Sequence, residues 1–177
     1  MSGYNSLLTK RYIRRMLWSF QTRYRIMFLS RLWLLTVVGV VSLVKGTFVE
    51  IGSRNYYIET RVEKNWFEAF QACRLLNADL VYFESFAEWR LVDEYLWDNN
   101  LDNVYWTSGT DLGNKGYHVW FSTGKPIVLD IWKPGEPNND EGIERCDEMG
   151  WRRNVTNSHR LNDKKCDSNR RFICKAR

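Results

Sequence analysis

Several things the chain lacks narrow what it can be. In 177 residues it has only two histidines, His118 and His159, and no Cys-x-x-Cys pair. A structural zinc site of Cys and His ligands therefore has little to be built from. No nucleophile stands beside a base in a recognisable constellation, which leaves a metal-assisted hydrolase without its parts. Prolines number three, all between residues 122 and 163. Internal repeats and low-complexity tracts are absent. The uncharged, mostly apolar run Leu32 to Val44 has thirteen residues, short of the ~20 that span a bilayer as a helix.

Acid is missing from residues 1–46, which carry eight basic side chains. The remaining residues hold 18 basic side chains against all 21 acidic ones, so the basic pI belongs to the leader. It gives no argument for nucleic acid binding. A basic stretch followed by a thirteen-residue apolar run reads as a signal peptide, with a tolerable cleavage site at Val44-Lys45-Gly46. Initiation at Met27 would give a leader of ordinary length. Extending the apolar run back to Ile26 approaches spanning length but includes Arg31, and gives a type II membrane anchor as the alternative. Both place the rest of the chain outside the cell or in the secretory lumen. The expected division is a leader at 1–46, a short lead-in at 47–55 and one domain at 56–177.

The four cysteines, Cys73, Cys146, Cys166 and Cys174, all follow the leader. An even count in an exported domain argues for two disulfides, and four cysteines allow three connectivities. Asn154-Val155-Thr156 is a glycosylation sequon usable in that compartment. Nine Trp, nine Tyr and nine Phe supply enough large side chains for a sizeable core.

Tyr56-Tyr57-Ile58 starts a strand. Asn65 to Asn77 reads as a helix, opened by the capping pair Asn65 and Glu68, with Trp66, Phe70, Cys73 and Leu76 at helical spacing. Leu80 to Phe83 is a short strand. Ser85 and Glu88 open a second helix running to about Trp97. Val104 to Thr107 and Val119 to Phe121 are strands around a Gly113–Gly116 turn, and Arg171 to Cys174 is a closing strand. Residues 122–163 form a long, mainly irregular stretch, and long ordered loops are usually functional. The fold class is α+β.

Inside that stretch lie Glu136-Pro137-Asn138, then Glu144, then Asn162-Asp163. Calcium takes six to eight oxygens from carboxylates, amides and backbone carbonyls. Glu136, Asn138, Glu144, Asn162 and Asp163 supply that mixture. Their three carboxylates leave a net charge of −1 around a divalent ion. Pro137 restricts the backbone between two of them, and a cis Glu136–Pro137 bond would aim both side chains the same way. An ion with two vacant positions accepts two vicinal sugar hydroxyls. Glu136 and Glu144 then accept their protons, while the amides of Asn138 and Asn162 donate to them. Each motif alone reads as a surface turn; together, among these cysteines, they read as a metal site.

This arrangement resembles the C-type lectin-like domain family from Tyr56 to the C-terminus. Cys73 falls in the first helix. Val104-Tyr105-Trp106-Thr107-Ser108-Gly109 is similar to the family's central Trp-containing strand, with its Trp-Ile-Gly-Leu form altered. Trp120, Trp132, Gly135-Glu136-Pro137-Asn138, Glu144-Arg145-Cys146, Asn162-Asp163 and Cys166 follow in the family's order. The chain is most similar to short secreted insect lectins. The resemblance implies a double-loop α+β fold with two helices, small antiparallel sheets and a long calcium-binding loop region. It implies Cys73 paired with Cys174 and Cys146 with Cys166; in the loop-entropy view the longer closure contributes about 4–5 kcal/mol. It implies one principal calcium on Glu136, Asn138, Glu144, Asn162 and Asp163. Glu136, Asn138, Glu144 and Asn162 would also contact a mannose, N-acetylglucosamine, glucose or fucose-type sugar. A Gln-Pro-Asp form would favour galactose, because donor and acceptor exchange across the site.

Three departures matter. Leu161 stands where the family has a Trp, a packing residue. Arg145 and Asn139 replace acids that hold auxiliary calcium in some members, so one calcium is expected. The segment from Cys146 to Asn162 is long; Trp151 and His159 within it could stack on a ring, but more often such residues pack or face solvent. Arg152, Arg153, Arg160, Lys164 and Lys165 could draw acidic glycans, although a solvated charged surface is the plainer reading. The expected function is a non-enzymatic, calcium-dependent lectin whose partners are glycans or glycoproteins, with homo-oligomers supplying avidity. The alternative is a protein-binding module on the same fold.

Overall fold

The computed structural model describes residues 47–150 and 160–177. The leader, the Asn154 sequon, Trp151, Arg152, Arg153 and His159 lie outside them. Gly46–Arg177 form one unit, and none of its described helices is long and apolar enough to cross a membrane.

Both helices begin where the sequence places them. In α1, Trp66–Leu75, Asn65 is the N-cap: its side chain accepts the Glu68 N–H at 2.9 Å and the Glu68 carboxylate accepts the Asn65 N–H at 3.3 Å. This reciprocal exchange satisfies two of the donors that a helix start leaves open. The helix buries Trp66, Ala69 and Cys73. In α2, Phe86–Asp98, the Ser85 hydroxyl accepts the Glu88 N–H at 3.2 Å. The Glu88 carboxylate takes the Glu84 N–H at 2.8 Å and the Tyr56 hydroxyl at 2.6 Å, and faces the buried Lys175 ammonium at 2.6 Å.

The nine described strands are β1 Val49–Ile51, β2 Arg54–Ile58, β3 Ala78–Leu80, β4 Tyr105–Thr110, β5 Val119–Trp120, β6 Lys125–Pro126, β7 Cys146–Met149, β8 Leu161–Lys164 and β9 Arg171–Ala176. The closing strand β9 is the hub, antiparallel to β2 and β3 and parallel to β4. Strand β4 carries β7 and β5, and β7 carries β8. The parallel β4–β9 pair departs from an all-antiparallel expectation. Part of the lead-in is itself structured: β1 and β2 form a hairpin. Only Leu80 of the expected Leu80–Phe83 strand lies in β3. Val81 and Phe83 nevertheless stay buried, and Val81 donates to the Ile173 carbonyl at 2.9 Å.

Two tryptophans lock helix to sheet. Trp66 donates its indole N–H to the Thr107 carbonyl at 2.8 Å, and Trp106 donates its own to the Lys64 carbonyl at 2.9 Å. Each buried ring thereby satisfies its one polar atom. One core cluster gathers Trp66, Cys73, Leu80, Trp106, Phe172 and Cys174. A second gathers Tyr56, Phe83, Trp89, Leu96, Tyr105, Trp120, Ile131 and Leu161. Leu161, at the position where the resemblance expects a packing Trp, is fully buried. Disulfides join Cys73 to Cys174 and Cys146 to Cys166. The first fastens α1 to β9; the second ties the start of β7 to the chain just past β8.

Candidate functional site

The Glu-Pro-Asn segment hangs from β8. The Lys133 N–H reaches the Leu161 carbonyl at 2.9 Å, and the Leu161 N–H reaches the Ile131 carbonyl at 2.8 Å. Gly135 then turns at φ +90°, a conformation that suits a residue without Cβ, and the Glu136–Pro137 bond is cis. The N–H groups of Asn138 and Asn139 donate to the two oxygens of the Asp163 carboxylate at 3.0 and 2.7 Å. Asn139 returns its side-chain oxygen to the Glu144 N–H at 3.2 Å. Asp163 and Asn139 therefore clip the loop to the strand and to the Glu144 segment.

Asn162 and Asp163 sit on a strand, which corrects the expectation of a loop. In the β7–β8 register Asp147 faces Asp163 and Glu148 faces Asn162. Strand alternation buries Leu161 and Asp163 and leaves Asn162 and Lys164 partly exposed. The Asn162 amide donates to Glu148 Oε1 at 3.2 Å and to the Asp163 carbonyl at 2.6 Å. Glu136, the Asn138 backbone, Asp163 and Glu144 are thus linked by contact or by charge, whereas the Asn162 amide turns toward Glu148. The Asn138 side chain is exposed.

The electrostatics of this cluster are unbalanced. Glu144 and Asp163 are buried. Glu136 Oε2 is buried, and the polar group it meets is the Asp163 carboxylate, which has no proton to give it while both are ionised. Burial foremost, then the Asp163 carboxylate and more weakly Glu144, raise the Glu136 pKa; Lys133 opposes them. An unpaired buried carboxylate oxygen beside two further carboxylates is costly unless a cation joins them. Among the described residues no three His, Cys, Asp or Glu side chains converge as a ready metal cluster. Asp163 is held by backbone N–H groups, and the Lys164 ammonium hydrogen-bonds Glu144 Oε1. The donor set of carboxylates and amide oxygens fits a hard cation such as calcium, and the orphaned Glu136 oxygen fits one missing partner.

Behind the site lies a buried group that the sequence reading missed. His118 Nδ1 lies 2.9 Å from Asp147 Oδ1, and its Nε2 lies 4.0 Å from Asp111 Oδ2. The Trp132 ring meets the His118 ring edge-on at 5.0 Å between centroids. Burial alone would lower the His118 pKa, but Asp147, Asp111 and Asp163 together raise it. Burial, opposed by His118, lifts Asp147 to about 6. Arg145, which stands where the resemblance gives some members an auxiliary-calcium acid, lays its guanidinium on the side chain and carbonyl of Asp111. Glu148 was also missed, and Lys164, read only as surface charge, turns to Glu144 instead. Strand alternation could have put Asn162 and Lys164 on one face, but only the register reveals Glu148 opposite Asn162. A cleft of about 340 Å³, lined by residues including Glu63, Asp102 and Asn169, contains none of the candidate ligands.

The comparisons agree with this architecture. The family profile described as Lectin C-type domain matches residues 62–176. C-type lectin 37Da of Drosophila melanogaster is 32% identical over 133 residues, 73% of this chain and 71% of that protein. C-type lectin 37Db of the same fly is 38% identical over 126 residues, 71% of this chain and 79% of that protein. Among solved structures, the carbohydrate-recognition domain of cow CD23, solved in the presence of a GlcNAc2Man3 oligosaccharide, superposes with a TM-score of 0.60 at 26% identity, covering 72% of this chain and 91% of that one. With the helices, disulfides and strand order in place, and with matches of this extent, the chain belongs to the C-type lectin domain family.

Proposed function

We propose that the chain is a calcium-dependent lectin for glycans of the mannose, N-acetylglucosamine or fucose type. The observation that carries this reading is Glu136 Oε2, buried beside Asp163 with no donor of its own. Glu136, Asn138, Glu144, Asn162 and Asp163 would hold the ion. Bound there, calcium supplies a Lewis-acidic seat for two adjacent sugar hydroxyls. The chain's own part is to read those hydroxyls. Glu136 and Glu144 accept their protons and the amides of Asn138 and Asn162 donate, the latter by swinging away from Glu148. The carboxylate–amide order at 136 and 138 sets which hydroxyl pair fits. This is a binding function.

All four cysteines are disulfide-bonded, which supports a secretory destination for the domain at 56–177 behind a leader at 1–46; the Asn154-Val155-Thr156 sequon would be usable there. A single site of this kind would bind weakly, and oligomers or clustered glycans would raise the affinity by avidity.

A glycan array with and without calcium tests the proposal. Mannose-type glycans should bind only in calcium, and E136Q with N138D should weaken mannose and favour galactose. Binding that persists after chelation, or a selectivity that does not move, contradicts it. One observation favours the protein-binding alternative: Lys164 already neutralises Glu144. An array that stays blank in calcium, with a protein partner recovered instead, would establish that alternative.

A further inference from the structure

Lys164 follows the candidate ligand Asp163 directly, and its ammonium hydrogen-bonds Oε1 of the candidate ligand Glu144. The Glu144 side chain is 3% exposed and that of Lys164 is 32% exposed. The pair is therefore an inward-facing acid covered by a cation that keeps access to water. The next acid within reach of its charge, Glu148, is engaged by Arg170 Nε at 2.7 Å and by the Asn162 amide at 3.2 Å. The neighbouring Lys165 differs. It faces Glu141, which is exposed and not a candidate ligand, at 3.3 Å.

Taking the calcium reading of this site as its basis, we infer that Lys164 is a built-in counter-ion that occupies Glu144 until calcium displaces it, and so sets the calcium concentration at which the lectin site assembles. The ammonium and a divalent ion are like charges drawn to one buried carboxylate, so each weakens the hold of the other there. Removing the ammonium from Glu144 without replacement would leave a buried, unpaired carboxylate. Exchange for calcium avoids that penalty, because Glu144 passes from one cation to the other while Lys164 swings into water on its four-carbon stem. The exchange still forfeits one charge-assisted hydrogen bond and brings a positive side chain beside the ion. Lys164 thus weakens calcium binding without abolishing it, whereas a neutral residue at 164 leaves Glu144 free to take the ion.

Calorimetric calcium titration of the full oxidised chain tests this, using wild type, K164Q, K164R and K165Q, with melting curves in chelator to confirm folding. K164Q should bind calcium about tenfold more tightly than wild type, the size expected for a lost charge-assisted competitor. K164R, which keeps the charge, and K165Q, which removes a charge one residue away, should stay within about twofold of wild type. Retention on a mannose matrix should shift to lower calcium in K164Q by the same factor. Calcium binding by wild type with K164Q unchanged, weakened, or shifted no more than K165Q overturns the counter-ion role and leaves the calcium site standing. Binding by K164Q alone supports both readings. Binding by neither overturns both.

Discussion

Glu136 resists its own charge, because burial and two neighbouring carboxylates hold its pKa above the ordinary range. A carboxyl whose folded pKa is raised contributes stability below its unfolded value, and that contribution is lost as pH rises through the folded value. The ion-free domain should therefore weaken on ionising Glu136, and a bound cation should reverse the effect. Melting curves should show the calcium-induced rise in Tm growing as pH rises through the carboxylate range in wild type and growing less in E136Q; the same pH dependence in both would remove Glu136 from the ion's shell. Gly109 is a second residue with a sharp requirement. A Cβ there would lie 2.2 Å from Asp147 Oδ2 and 2.8 Å from Asp147 Cβ. Asp147 is pinned by His118 and fully buried, so it has nowhere to move. G109A should cost about 2 kcal/mol in chemical denaturation, and a loss below about 0.5 kcal/mol would mean the pair has room to shift.

At the level of elements, the helices were legible and part of the site was not. Asn65 with Glu68, and Ser85 ahead of Glu88, announce helix starts through local chemistry that owes nothing to the rest of the fold. N65A should accordingly destabilise the domain by about 1 kcal/mol while leaving calcium uptake intact, as read by denaturation and calorimetry in parallel. Strands β7 and β8 gave no such notice. Cys-Asp-Glu-Met and Leu-Asn-Asp-Lys are rich in groups that ordinarily mark turns. They are strands because β4 and the Cys146–Cys166 bridge hold them there. The ligand types were readable from the Glu-Pro-Asn and Asn-Asp segments. The partners Asp163 offers to the Asn138 and Asn139 N–H groups, and Lys164 to Glu144, depend on a register that no local pattern encodes.

Across the whole molecule, the two bridges have different work. Cys73–Cys174 closes a separation of 101 residues and fastens the first helix to the hub strand, so C73S with C174S should lose about 4–5 kcal/mol of stability. Cys146–Cys166 closes 20 residues around β7 and β8, so C146S with C166S should lose less, about 3 kcal/mol. Because that bridge braces the strands carrying Asn162 and Asp163, its removal should nevertheless weaken calcium binding more than removal of the first. Denaturation and calcium titration on the two double variants check both orders. The cysteine count foretold two bridges, but the pairing came from resemblance, since spacing alone leaves three connectivities open. The two-helix plan with a sheet came from periodicity and caps. The meeting of β9 with β2, β3 and β4 is long-range and had no sequence signal of its own.

The most direct test is isothermal titration of calcium into the intact, oxidised chain at neutral pH, carried to several millimolar so that Lys164 can be displaced. Uptake of one ion per chain, abolished by E136A with D163A, is the result predicted. No uptake at those concentrations, from a chain shown to be folded with both disulfides formed, would contradict the calcium site and the sugar recognition that depends on it.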